Sequence, residues 1–182
     1  MTDRLYFTES DEANELLARD PMALLVGFVL DQQVTVQKAF SGPLVIRERV
    51  GSLDPAALAT ADLDAAFREK PAVHRFPGSM AERVAALAVH IRDEYEGHAE
   101  RVWTTADSAA ELRARLSALP GFGEMKIKSL GAVLANRFAV AVAQELVPGH
   151  PTLGNVDSPE ALSAYQAAKK LHKAEWSKTG AR

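Results

Sequence analysis

The chain has 182 residues, 47% of them hydrophobic, a net charge of −3 and no cysteine. That is enough apolar material for one domain or for two small lobes with a shared core. The missing thiols exclude disulfides, a cysteine nucleophile and any cysteine-ligated zinc or iron–sulfur centre.

The N-terminus Met1-Thr2-Asp3-Arg4 leads into polar sequence without a leader pattern. Met22 to Leu30 is apolar but too short to span a bilayer, so the expectation is a cytoplasmic protein with no membrane contact. A slightly acidic chain can meet a polyanion only if its basic groups gather on one face. Lys169, Lys170, His172, Lys173, Lys178 and Arg182 are one such gathering, and they read equally well as a solvated helix face and frayed tail.

Ser10 or Asp11 can cap a first helix running to Arg19, with Leu16 and Leu17 inward. Asp20-Pro21 breaks it, and Pro21 can open a second helix from Met22 to about Val34 that is apolar on every side, the mark of a central helix. A further helix is expected over Thr35 to Val50, interrupted at Ser41-Gly42-Pro43. Asp54 starts a short helix, and Asp62 or Asp64 starts another that ends near Lys70-Pro71. Ser79 can cap a long helix from Met80 to about Tyr95, in which Val84, Leu87, Ala88 and Ile91 keep helical spacing. Trp103-Thr104-Thr105 reads as a link. Asp107 or Ser108 caps the next helix, 109 to 118. After Leu119 to Gly123 a helix runs to about Phe138, Ala139 to Ala143 is ambiguous between helix and strand, 147 to 155 is a loop, and Ser158-Pro159 starts a last helix to about Lys173. No stretch alternates with period two, so the fold reads as all-α.

The most informative stretch is Leu119-Pro120-Gly121-Phe122-Gly123-Glu124-Met125-Lys126. Pro120 and two glycines one residue apart force a tight turn between two helices. The amides that open the second helix lack intrahelical partners, and with the helix dipole they can hold a phosphate oxygen. Lys126 and Lys128 add positive charge at the same end. Such a corner can grip a nucleic-acid backbone without reading bases; as an ordinary helix–turn–helix corner it would do nothing of the kind.

This stretch resembles the helix-hairpin-helix of the HhH-GPD superfamily of base-excision DNA glycosylases, whose pattern reads roughly L-P-G-hydrophobic-G. Two further stretches agree in order and spacing. Leu25-Val26-Gly27-Phe28-Val29-Leu30-Asp31-Gln32-Gln33 is similar to the family's apolar helix ending in a Gln pair at the edge of the base-binding cleft. Pro77-Gly78-Ser79-Met80-Ala81-Glu82-Arg83 is similar to the segment that precedes the hairpin lobe. Together they span roughly residues 20 to 140. The resemblance implies a two-lobed all-α fold, with one helical lobe over about 21–105 and a second formed by about 1–20 plus 106–182, carrying the hairpin at 109–138. It implies double-stranded DNA as partner, a monomer that joins the nucleoid when bound, and no cofactor, since no iron–sulfur cluster can form. Leu119, Pro120, Gly121, Phe122, Gly123, Lys126 and Lys128 would contact DNA. Asp31, Gln32 and Gln33 would line the base pocket, with Asp31 inside it rather than on the phosphate path.

The chain departs from the family where the chemistry lies. The aspartate expected one helix after the hairpin is absent, and Glu145 is the nearest carboxylate to its position. Asp157, in Val156-Asp157-Ser158-Pro159, has the right context but lies beyond an inserted Pro148, Gly149 and Pro151; it could equally cap the last helix with Ser158. The lysine that lyase-type members place two residues after the second glycine is Met125 here, and Lys126 points about 100° further round the helix. The implied activity is monofunctional hydrolysis of the N-glycosidic bond of a flipped, damaged base, with Asp157 as carboxylate. The alternatives are a non-catalytic DNA-binding relative and a helical protein-interaction module.

Overall fold

The computed structural model describes residues 2–179. It is all-α: ten α-helices, two 3₁₀ helices and no strand among the described residues. The helices are α1 (Asp11–Arg19), α2 (Pro21–Leu30), α3 (Val36–Val50), α4 (Pro55–Thr60), α5 (Leu63–Arg68), α6 (Pro77–Glu94), α7 (Arg101–Thr104), α8 (Ala109–Ala118), α9 (Glu124–Phe138) and α10 (Pro159–Thr179), with 3₁₀ helices at Ala141–Leu146 and Leu153–Asn155. None of the described helices is long and apolar enough to cross a membrane.

Most starts follow local chemistry. Ser10, Asp20, Thr35, Asp54, Asp62 and Ser108 each accept a backbone N–H of the first turn they precede. The long helix α6 begins at Pro77 rather than after Ser79, because proline suits the first helical position, where no N–H is needed. Pro43 does not interrupt α3. Phe40, Gly42, Pro43 and Ile46 are all buried, and their packing on α2 offsets the one lost hydrogen bond.

Two groups of helices divide the chain. In the first, α2 is buried along almost its whole length between α1, α3 and α6, while α4 and α5 pack on α6. α1 belongs to this group: it packs on α2 and α3, and Arg47 of α3 pairs with Glu12 at 3.0 Å. In the second, α8 and α9 form the hairpin, both 3₁₀ helices pack on α9, and α10 leans on Leu153–Asn155. One continuous core runs through both. At the surface the groups are tied by Lys126 of α9 reaching α2, and by the side-chain amides of Gln37 (α3) and Gln166 (α10), which exchange hydrogen bonds of 3.0 and 2.7 Å.

Candidate nucleic-acid interface and carboxylate cleft

The hairpin turn is built by its own sequence. The Phe122 N–H donates to the Leu119 carbonyl at 3.2 Å, with Pro120 and Gly121 in the middle and Gly121 at φ +83°. Proline then a residue of positive φ is the signature of a type II turn, and glycine fills the second place without strain. Leu119 and Phe122 are buried and anchor the turn, while Gly121 and Gly123 are exposed at its tip. Gly123 precedes α9 and brings no side chain to its first amides, unlike the polar residues that cap α1 to α5 and α8. Those amides are therefore free for an external acceptor. The one acid at this end, Glu124, is held below the usual carboxylate range by Arg113 and further by Lys128, which lies 3.7 Å away.

Opposite the turn, α2 stops at Leu30, earlier than its apolar pattern suggests, because side chains take over its last carbonyls. Val29 O accepts from Gln32 Nε2 at 2.9 Å and from Lys126 Nζ at 3.1 Å. Leu30 O and Gln32 O share the Nε2–H of His74 at 3.0 and 3.1 Å. His74 Nδ1 accepts the Phe76 N–H at 3.0 Å, which assigns the neutral Nε2–H tautomer; burial accordingly lowers the pKa of His74. Gln32 Oε1 accepts from Arg83 at 2.8 Å, so both ends of that amide are committed. Gln33 is different. It is exposed, sits in the left-handed region at φ +55°, and its side chain makes no hydrogen bond among the described residues.

Asp31 is the residue that ends α2. It is half-buried, and its carboxylate accepts no hydrogen bond and meets no cation within 4.0 Å among the described residues. Burial raises its pKa, and Lys169 and Lys126 oppose the rise. Burial also raises the Tyr165 phenol, and Asp31 adds to that. The Lys169 amine lies 5.8 Å from the Tyr165 ring centre. The Lys126 amine does not stand out in solvent as a free phosphate partner would. It donates to Val29 O and to Gly121 O at 3.2 Å, and burial brings its pKa down to about 8.

The two carboxylates expected from the resemblance are both exposed. Glu145 is exposed on the 3₁₀ helix 141–146. Asp157 is exposed just before α10, where Ser158 alone caps, accepting the Ala161 N–H at 3.0 Å. Met125 projects from the first turn of α9 and is 80% exposed. Asp31, Gln32 and Gln33 thus share one end of α2, and Lys126 joins them; Glu145 and Asp157 sit exposed on other segments. His74, Tyr165 and Lys169 were not singled out for this place by the sequence; the apolar α2 ending in polar residues was the only local signal. A cavity of about 420 Å³ lined by Asp20, Arg47, Leu53 and Glu100 includes none of these residues, and the Asp20 carboxylate there is already committed to capping α2. No family model, curated protein or solved structure matches this chain.

Proposed function

We propose that the chain binds duplex DNA through the 119–123 turn and the first turn of α9, and hydrolyses the N-glycosidic bond of a damaged base extruded into the cleft beside Gln33. The observation that carries this reading is the juxtaposition of two features linked by Lys126: an uncapped helix start behind a glycine turn, and a half-buried carboxylate followed by two glutamines. The first suits a phosphate oxygen. The second suits a base-excision pocket, where negative charge stabilises the positive sugar as the bond breaks. On this reading Gln33 fills the gap left by a flipped base, and Lys128 and Arg113 supply charge towards the phosphates. Incubation with duplexes carrying alkylated, deaminated or oxidised bases, followed by alkali, should reveal abasic sites. Release of no base from any lesion, with duplex binding intact, would replace catalysis with plain DNA binding.

That non-catalytic reading has one observation in its favour, the exposure of both Glu145 and Asp157. Loss of duplex binding altogether would leave a helical interaction module.

A further inference from the structure

Resting on the base-excision reading, we infer that Asp31, and not Asp157 or Glu145, is the carboxylate that faces the sugar. Asp31 is the C-cap of α2, at the negative end of a helix of ten residues, so its charge and the helix dipole act in the same sense on a cation placed before them. It is the one half-buried carboxylate adjoining Gln32 and Gln33. It is also uncommitted, whereas Glu124 is paired with Arg113 and Lys128, and Asp20 caps a helix. A desolvated carboxylate without a hydrogen-bonded partner costs stability, and such a cost persists where function needs it.

The surrounding groups fit this role. The titratable side chains that exchange electrostatic influence with Asp31 are Lys126 from α9, and Lys169 and Tyr165 from α10. Lys126 spends its protons on Val29 O and Gly121 O, so it moderates the field without closing an ion pair. Lys169 lies on the exposed half of α10 and can transfer to a phosphate when DNA arrives. With the site occupied by a sugar, Asp31 then faces a developing positive charge. In the step, the C1′–N bond breaks and its electron pair leaves on the base nitrogen. A water oxygen bonds to C1′, one water proton passes to Asp31, and that proton goes on to the departing base. The products are the free base and an intact abasic sugar.

The test uses the full chain and two duplexes that need no turnover, one with a neutral tetrahydrofuran abasic unit and one with its cationic pyrrolidine counterpart. The wild type should bind the cationic duplex more tightly. Asp31→Asn should erase that preference, a change of about tenfold or more, as for mimics of a charged transition state. Asp157→Asn should keep it. A preference that survives in Asp31→Asn, or one that vanishes only in Asp157→Asn, overturns the assignment; so does a wild type that binds both duplexes equally. Failure of the base-excision reading shows separately, as absence of binding to any duplex or of base release from every lesion, and absence of duplex binding overturns the assignment with it.

Discussion

Gln32 and Lys126 converge on a single acceptor, the Val29 carbonyl oxygen, at 2.9 and 3.1 Å. A carbonyl has two lone pairs, and both are used. This arrangement joins the hairpin to the end of the central helix through an amine that is largely out of water.

The pH dependence of stability reports on that amine. Its folded pKa is about 8, against 10.5 for a free lysine. Between those values the unfolded chain binds more protons than the folded one, so Lys126 makes stability rise with pH across this window. Lys126→Met should lose that increment. Urea midpoints at pH 7.5 and 9.5 for wild type and variant would show it, and identical pH responses would place the amine in solvent. In titrations at several salt concentrations, Lys128→Ala should flatten the salt dependence of DNA binding by about one phosphate contact, and Lys126→Met much less.

Asp31 gives a prediction of opposite slope. Burial raises its pKa above 3.8, so its charged form is penalised in the fold. The folded state then binds more protons than the unfolded one between 3.8 and the raised value, and this group's contribution grows more favourable as pH falls through that window. Asp31→Asn should be more stable than wild type at pH 7.5, with the gap closing towards pH 4. A variant less stable at pH 7.5 would mean the carboxylate holds the structure together, which its lack of partners argues against.

The two glycines of the hairpin should respond differently to alanine. Gly121 has φ +83°, where an L side chain costs about 1 kcal/mol or more. Gly123 has an extended backbone, φ −92° and ψ −178°, and nothing within 4 Å of where a Cβ would stand. Gly123→Ala should therefore leave the melting temperature unchanged while weakening DNA binding, because only an approaching backbone would meet the added methyl. Unaltered affinity in that variant would remove the turn from the DNA interface.

How much of this could be read from sequence follows from range. The starts of α1, α4 and α8 were visible because Ser10, Asp54 and Ser108 act within three residues of themselves, and that of α2 because Pro21 suits a first helical position. The continuity of α3 through Pro43 was not, since it depends on burial against α2. The hairpin was visible for the same local reason, as Pro120-Gly121 sets its own turn. The polar end of α2 was half visible. Asp31, Gln32 and Gln33 are adjacent in sequence, but His74 reaches Leu30 across 44 positions and Lys126 reaches Val29 across 97. Helical angle alone turned Lys126 outward from the lysine position; the flexibility of its four-carbon stem lets the amine fold back.

The last prediction separates the side chain of Gln33 from its backbone. A non-glycine residue at φ +55° stores strain, and such strain gathers where a side chain must be held in one place. Gln33→Gly should relieve it and raise stability by up to about 1 kcal/mol, whereas Gln33→Ala should leave stability nearly unchanged because no hydrogen bond is lost. Both variants remove the amide that would enter the gap in a duplex. Both should therefore lose affinity for a duplex with a tetrahydrofuran abasic unit more than for an intact one, since a gap-filling group gains only where a base is missing or extruded. Thermal melts and parallel titrations with the two duplexes would measure this. Equal losses on both duplexes would assign Gln33 to general DNA contact. A stability drop in Gln33→Gly would show that its left-handed backbone is held by the side chain rather than by the contacts of Gln32 and His74.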